Sequence, residues 1–312
     1  MAEDLGSICC FDIGGSYIRY GVPCADGDVV EQGRVSTPTA SWKALVAALR
    51  NACDETDAQI ASLSLAGAFP PDGGSADVAN IPCLNGRDVQ GDLARAMGCK
   101  VLVTNDADCF ALAEAHLGAA KNQPIVFGAI IGSGVGGGVV INGELLRGFG
   151  GISGEWGHGP VLDATLGGLL PDTEPLACGC GQNGCIDAVC SARGMEKLHL
   201  QLNNDALTSL EITRRWKAGD AQATRTIDVY TRYLAQSLSV IVNTLGPHII
   251  PVGGGLSSEP TLIEMIDRQL REMVLADFAS PVVVPGHLSA NGGLVGAGIV
   301  AAQHLHHKES AT

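Results

Sequence analysis

The chain has 312 residues, 46% of them hydrophobic and 17% charged, with a formal net charge of −14. That size and apolar share support two packed domains, since one core rarely grows past ~250–300 residues. The acidic surplus argues against binding along a nucleic-acid backbone, which needs stripes of Lys and Arg, but it leaves room for a nucleotide held by backbone amides.

No apolar run reaches the ~18 residues that a membrane helix needs. The acidic start, MAEDLGSICCF, lacks the basic segment of a signal peptide. A cytoplasmic protein with no membrane partner is therefore expected, and most of its eleven cysteines read as small buried residues.

In chain order, Ile8–Phe11 is an apolar strand that runs into the turn Asp12-Ile13-Gly14-Gly15-Ser16. Tyr17–Val22 resumes as a strand, and Asp26-Gly27 closes it. Trp42–Cys53 reads as a helix, Ile60–Leu65 and Val101–Thr104 as buried strands, and Ala107–Leu117 as a second helix. Ile125–Ile131 then repeats the opening: the turn Gly132-Ser133-Gly134-Val135-Gly136 follows, Gly137–Ile141 resumes, and Asn142-Gly143 closes. One strand, glycine turn, strand and hairpin unit thus opens each half. Alternating strands and helices in both halves predict two α/β domains with a cleft between them, with the boundary in Gly118–Pro124. A third glycine run, Gly253-Gly254-Gly255, lies between the strand-like His248–Val252 and the helix-like Thr261–Val274.

Consecutive glycine amides can form a concavity that holds an anion. Each turn alone could equally be a hairpin bend, but two in equivalent places suit a triphosphate gripped from both sides. Neither a Walker A loop nor GxGxxG fits, because strands follow the first two turns. Asn105-Asp106 ends a buried strand where ligands commonly bind, although either residue could simply cap the next helix. "CGCGQNGC", from Cys178 to Cys185, packs three cysteines into eight residues. A disulfide, a metal and a redox pair are all open on that spacing alone.

"FDIGGSYIRYGV", "NDADCFALAEA", "VFGAIIGSGVGGGVVINGELL", "GEWGH", "CGCGQNGC" and "PVGGGLSS" occur in this order along essentially the whole chain, which resembles the ROK sugar kinases. The resemblance implies an α/β protein of the actin-like ATPase (ribonuclease H-like) fold with two duplicated domains, 1–118 and 119–292. A last helix near Gly293–Leu305 would pack back on the first. The implied reaction is ATP-dependent phosphorylation of the 6-hydroxyl of an amino sugar, N-acetyl-D-glucosamine ahead of glucose or N-acetylmannosamine. The implied partners are that sugar and ATP, with Mg²⁺, a structural Zn²⁺ and a homodimeric assembly.

Residue by residue, the resemblance makes Asp106 the catalytic base and Asn105, Glu155, His158 and Asp187 sugar contacts. Asp12 would orient the water shell of the magnesium ion. Gly14, Gly15 and Ser16, with Gly132, Ser133, Gly134, Val135 and Gly136, would grip phosphates, and Gly253, Gly254, Gly255 and Leu256 would lie against the adenosine. It assigns zinc to His158, Cys178, Cys180 and Cys185. Three thiolates and an imidazole form a closed tetrahedral set, which is structural in character.

Two positions depart from the family pattern. Ser16 replaces the usual Thr and keeps its hydroxyl. Asp187 replaces a Glu, so its carboxylate sits one methylene further back from the C1–C2 region of the sugar. The family's repressors are disfavoured by the acidic charge and by a first strand that begins near Ile8. A silent sugar sensor is disfavoured by the intact Asp106 and phosphate turns.

Overall fold

The computed structural model describes residues 7–70, 73–78, 80–160, 163–168, 170 and 174–310. Strands β1 (Ile8–Ile13), β2 (Tyr17–Pro23) and β3 (Val29–Ser36) lead into helix α1 (Trp42–Glu55). Strand β4 (Ile60–Leu65), helix α2 (Val89–Met97), strand β5 (Lys100–Asn105) and helix α3 (Asp106–His116) follow. They build a sheet of order β3-β2-β1-β4-β5. β2 pairs antiparallel with β1 and β3, whereas β1, β4 and β5 run parallel. All six residues of β4 are buried, as expected of a parallel strand covered on both faces. β3 forms the sheet edge and is mostly exposed.

The second sheet has order β10-β9-β6-β7-β8. Strands β6 (Ile125–Ile131), β7 (Val135–Ile141) and β8 (Glu144–Leu145) come first. Helices α4 (Ile186–Cys190), α5 (Ala192–Asn203), α6 (Ser209–Lys217) and α7 (Ala221–Leu245) follow. Strand β9 (Ile250–Gly253), helix α8 (Pro260–Arg271), strand β10 (Val283–Pro285) and helix α9 (Gly292–Ser310) complete the described chain. The helices begin at side-chain caps: the oxygens of Ser191, Thr208 and Asp220 accept from Gly194, Glu211 and Ala223 amides at the starts of α5, α6 and α7.

Packing divides the chain into two compact units. One comprises Met1–Asn122, Gly138–Ser153 and Ala290–Thr312, and the other comprises Gln123–Gly137 and Gly154–Ser289. Within the first, α9 lies on β1 and β4 and beside α3. Leu294, Ala297 and Ala301 bury against Ile8, Cys10 and Ile60, and Ser62 Oγ donates to Ala297 O at 2.7 Å. The Asn142-Gly143 turn has φ of 52° and 82°, the double positive φ of a tight hairpin. His116 Nε2 and Gln303 Nε2 both donate to its Gly143 carbonyl, at 2.8 and 2.9 Å. Among the described residues no helix is long and apolar enough to cross a membrane.

Candidate active site

In the first unit, parallel register sets Asp12 beside Ser64, and Ser64 beside Thr104. A polar row therefore crosses the carboxyl ends of β1, β4 and β5. Helix α9 passes over it at Gly293, where a Cβ would stand 2.6 Å from Asp12 Oδ1 and 3.0 Å from Ser64 Oγ; only glycine fits. Asp12 also faces Arg19 across the β1–β2 pair, with Arg19 Nη1 3.8 Å from Oδ2. Arg19 is held in turn by Ala290 O at 2.6 Å, Asn291 Oδ1 at 2.7 Å and Glu31 Oε2 at 2.7 Å. Burial pushes the Asp12 carboxyl up to about 6; Arg19 opposes that rise, and the Asp106 and Glu31 carboxylates reinforce it.

The Gly14–Ser16 turn is fixed by Gly14 N donating to Tyr17 O at 3.0 Å. Thr37 grips it from the side, Oγ1 donating to Gly14 O at 2.7 Å and N to Ser16 O at 3.0 Å. Together with Asp12 and Arg19, the turn lines a cavity of about 610 Å³.

Asp106 opens α3, and Asn105 determines where it sits. The Asn105 Oδ1 accepts from Ala107 N at 2.8 Å and Asp108 N at 3.4 Å, while Nδ2 donates to Gly67 O at 2.9 Å. Asn105 is thus the helix cap and also ties β5 to the chain leaving β4. Asp106 Oδ1 accepts from Ala107 N at 3.0 Å. Burial raises the Asp106 pKa, opposed by backbone amides including that of Ala107.

In the second unit, the Gly132–Gly136 turn is held at three points. Ala192 N donates to Gly132 O at 2.7 Å, Val135 N donates to Asp187 Oδ1 at 2.8 Å, and Trp156 Nε1 donates to Gly136 O at 2.7 Å. The third glycine run meets this turn directly. Gly254 has φ of +89°, and a Cβ there would lie 2.5 Å from Ile131 O, so both the backbone angle and the close approach demand glycine. Gly132, Ser133, Gly255 and Leu256 line a cavity of about 350 Å³, walled on its far side by Leu210, Thr213 and Lys217 of α6. A volume of that order is typical of small-molecule sites, ~300–1,000 Å³. Gly253 ends β9 at its base.

His158, Cys178 and Cys180 bring one nitrogen and two sulfurs within 4.8 Å of one another. Cys178 Sγ is 3.9 Å from His158 Nδ1, and Cys180 Sγ is 3.7 Å from Cys185 Sγ. Sulfurs bound tetrahedrally at ~2.3 Å to one zinc ion would stand about 3.8 Å apart, so the spacing of His158, Cys178 and Cys180 fits that ion, while Cys185 lies near Cys180 but outside the mutually close group. The Cys180 thiol is brought down to about 6, chiefly by the Gln182 backbone amide, whereas burial pushes Cys185 up to about 12. With Nδ1 toward sulfur, His158 Nε2 faces Glu155 Oε2 at 4.0 Å. Asp187, two residues past Cys185, has Oδ1 on Val135 N and Oδ2 3.9 Å from Cys178 Sγ.

A family model described as "ROK family" matches residues 8–304. The chain belongs to the ROK family. A curated ROK relative, the N-acetyl-D-glucosamine kinase of Yersinia enterocolitica, is 33% identical over 292 residues, covering 92% of this chain and 96% of its own. The crystal structure of a ROK hexokinase from Thermus thermophilus superposes with a TM-score of 0.83 at 28% identity, over 96% of this chain and 98% of its own. A ROK glucokinase from Streptomyces griseus, solved with glucose and AMPPNP, gives 0.75 at 26% identity, over 95% and 99%. These ROK neighbours give the chain the actin-like ATPase fold, α/β with two mixed sheets.

Sequence reading passed over two sets of residues in these cavities. Arg19 carries a signal that would have found it: a four-residue hairpin loop after Ile13 places it opposite Asp12. The α6 wall carries a subtler one, the Thr208 cap three residues before Glu211.

The raised Asp12 pKa has a consequence for stability. Its value rises from 3.8 unfolded to about 6 folded, so the neutral form stabilises the fold. That contribution is complete below pH ~4 and is lost as pH rises through ~6. Asp12→Asn, which cannot ionise, is expected to exceed the parent in urea-unfolding stability at pH 8 by on the order of 2 kcal/mol, with the two proteins converging near pH 4. A variant less stable than the parent at pH 8 would contradict the burial of Asp12 as a charge.

Proposed function

We propose that the protein is an ATP-dependent kinase that phosphorylates the 6-hydroxyl of N-acetyl-D-glucosamine. The single observation carrying this reading is Asp106: a carboxylate at the carboxyl end of a parallel strand, held by the Asn105 cap and made more basic by burial. A base with a raised pKa is better matched to taking a proton near neutral pH. The curated relatives, 33% identical along nearly the whole chain, supply the acceptor's identity.

In the reaction, Asp106 accepts the proton of the 6-hydroxyl as that oxygen bonds to the γ-phosphorus. The bond from the γ-phosphorus to the bridging oxygen breaks, and its electron pair leaves on the β-phosphate of ADP. Such a transfer asks the protein chiefly for positioning and charge stabilisation. The turns Gly14–Ser16 and Gly132–Gly136 offer backbone amides to the phosphates, and the 350 Å³ cavity beside Gly255 and Leu256 takes the nucleoside. Asp12 would help hold a Mg²⁺ ion bound with ATP, which would supply neutralisation of the phosphate charge. Asn105 keeps Asp106 in position, and Glu155 and His158 Nε2 hydrogen-bond the sugar hydroxyls. His158, Cys178, Cys180 and Cys185 would hold a structural Zn²⁺, which would fix the imidazole. The family resemblance supports a homodimer in the cytoplasm.

Asp106→Asn is expected to lower turnover with N-acetylglucosamine by ~10²–10⁴-fold, while the sugar Kd stays within about tenfold. A variant that retains more than half the parent's turnover would remove Asp106 as the base. Metal analysis of freshly purified protein is expected to find about one zinc per chain. Chelation is expected to lower sugar affinity, because His158 serves both metal and sugar. A metal-free sample with full sugar affinity would overturn the zinc assignment.

A further inference from the structure

Asp187 stands at the position where the family resemblance expects a sugar contact, and its carboxylate is engaged elsewhere. One oxygen accepts from Val135 N at 2.8 Å, in the middle of the second glycine turn. The other lies 3.9 Å from Cys178 Sγ. Its backbone is fixed as well, since Asp187 N donates to Gly157 O at 2.9 Å. Cys185, buried and two residues earlier, is the residue from which α4 starts. The stretch from Cys185 to Asp187 therefore links the cysteine cluster to the glycine turn by two residues of chain and one charge-assisted hydrogen bond.

We propose that Asp187 is a positioning residue for the phosphate turn: it carries the geometry of the cysteine and histidine cluster into Gly132–Gly136 and so governs nucleotide binding. The length of the side chain is the reason. A Gly at 134 leaves the carboxylate room to approach, since a Cβ there would be 3.1 Å from Asp187 Oδ1. An amide fixed by a carboxylate is held more firmly than one bonded to a neutral acceptor. Turn amides that are fixed before the phosphate arrives need not be ordered by it. Trp156 adds a second tie to the same turn from the segment that carries Glu155 and His158, so the turn rests on the same stretch of chain as the metal donors on both sides.

The functional half of this proposal rests on the kinase reading given above, and the structural half does not. Hydrogen exchange of residues 132–137 and titration with MgATP and with N-acetylglucosamine, each on zinc-quantified full-length protein, separate the two. In Asp187→Ala the turn amides are expected to exchange faster without any ligand, the Kd for MgATP to rise on the order of tenfold or more, and the sugar Kd to move less than about threefold. Asp187→Asn keeps an oxygen for Val135 N and is expected to restore both exchange and MgATP affinity to within about threefold of the parent. Unchanged exchange in Asp187→Ala overturns the proposal. A tenfold loss of sugar affinity with MgATP binding intact overturns it in favour of a sugar contact. If exchange responds but the parent binds no MgATP, the tie stands and the kinase reading falls.

Discussion

The partial burial of two carboxylates at the carboxyl ends of the parallel strands β1 and β5, one on each side of β4, is the constraint on which the first unit is built. Burial raises the pKa of both Asp12 and Asp106, and the Asp106 charge adds to the rise at Asp12. A fold tolerates this only where something is gained from it. The surroundings are arranged accordingly: Gly293 gives up its side chain so that α9 can pass over Asp12, Arg19 supplies one cation, and the Asn105 amide caps α3 through the Ala107 and Asp108 amides and donates to Gly67 O. A divalent cation with its phosphates would relieve the repulsion at Asp12.

The two glycine turns look alike in sequence and are supported by different means. The first is gripped by Thr37, a neutral hydroxyl and amide on the chain leaving the edge strand. The second is held by a carboxylate, an indole and the first amide of α5. Among the described residues, the second is tied to the segment of the cysteine and histidine cluster through Asp187 and Trp156. The two turns thus share a glycine-rich sequence while each has its own supports.

Much of this was legible in the residues. The Asn142-Gly143 signal gave a tight turn with both φ values positive, and the buried run Ile60–Leu65 gave a strand with unchanged bounds. Asn105 reads from sequence as either a cap or a ligand contact, and the structure shows it capping α3 at Asp106. Strand β3 gave no apolar alternation because it lies exposed at the sheet edge. Asp187 was legible as a departure but not in its direction. Whether a carboxylate one methylene shorter reaches a sugar or a backbone amide depends on where Val135 lies, 52 residues away in sequence. The interleaving of Gly138–Ser153 and Ala290–Thr312 into the first unit is likewise a product of long-range packing, which no local pattern encodes.

The central claim is that this site transfers phosphate to an amino sugar, and substrate discrimination tests it most directly. A pocket that hydrogen-bonds the acetamido group leaves polar atoms unpaired when glucose enters. Coupled ADP-release kinetics should therefore give N-acetylglucosamine a kcat/KM at least on the order of tenfold above that of glucose, a difference of ~1.4 kcal/mol in transition-state binding. Equal or greater efficiency with glucose would contradict the amino-sugar assignment, and ADP release that no sugar stimulates would contradict the kinase itself.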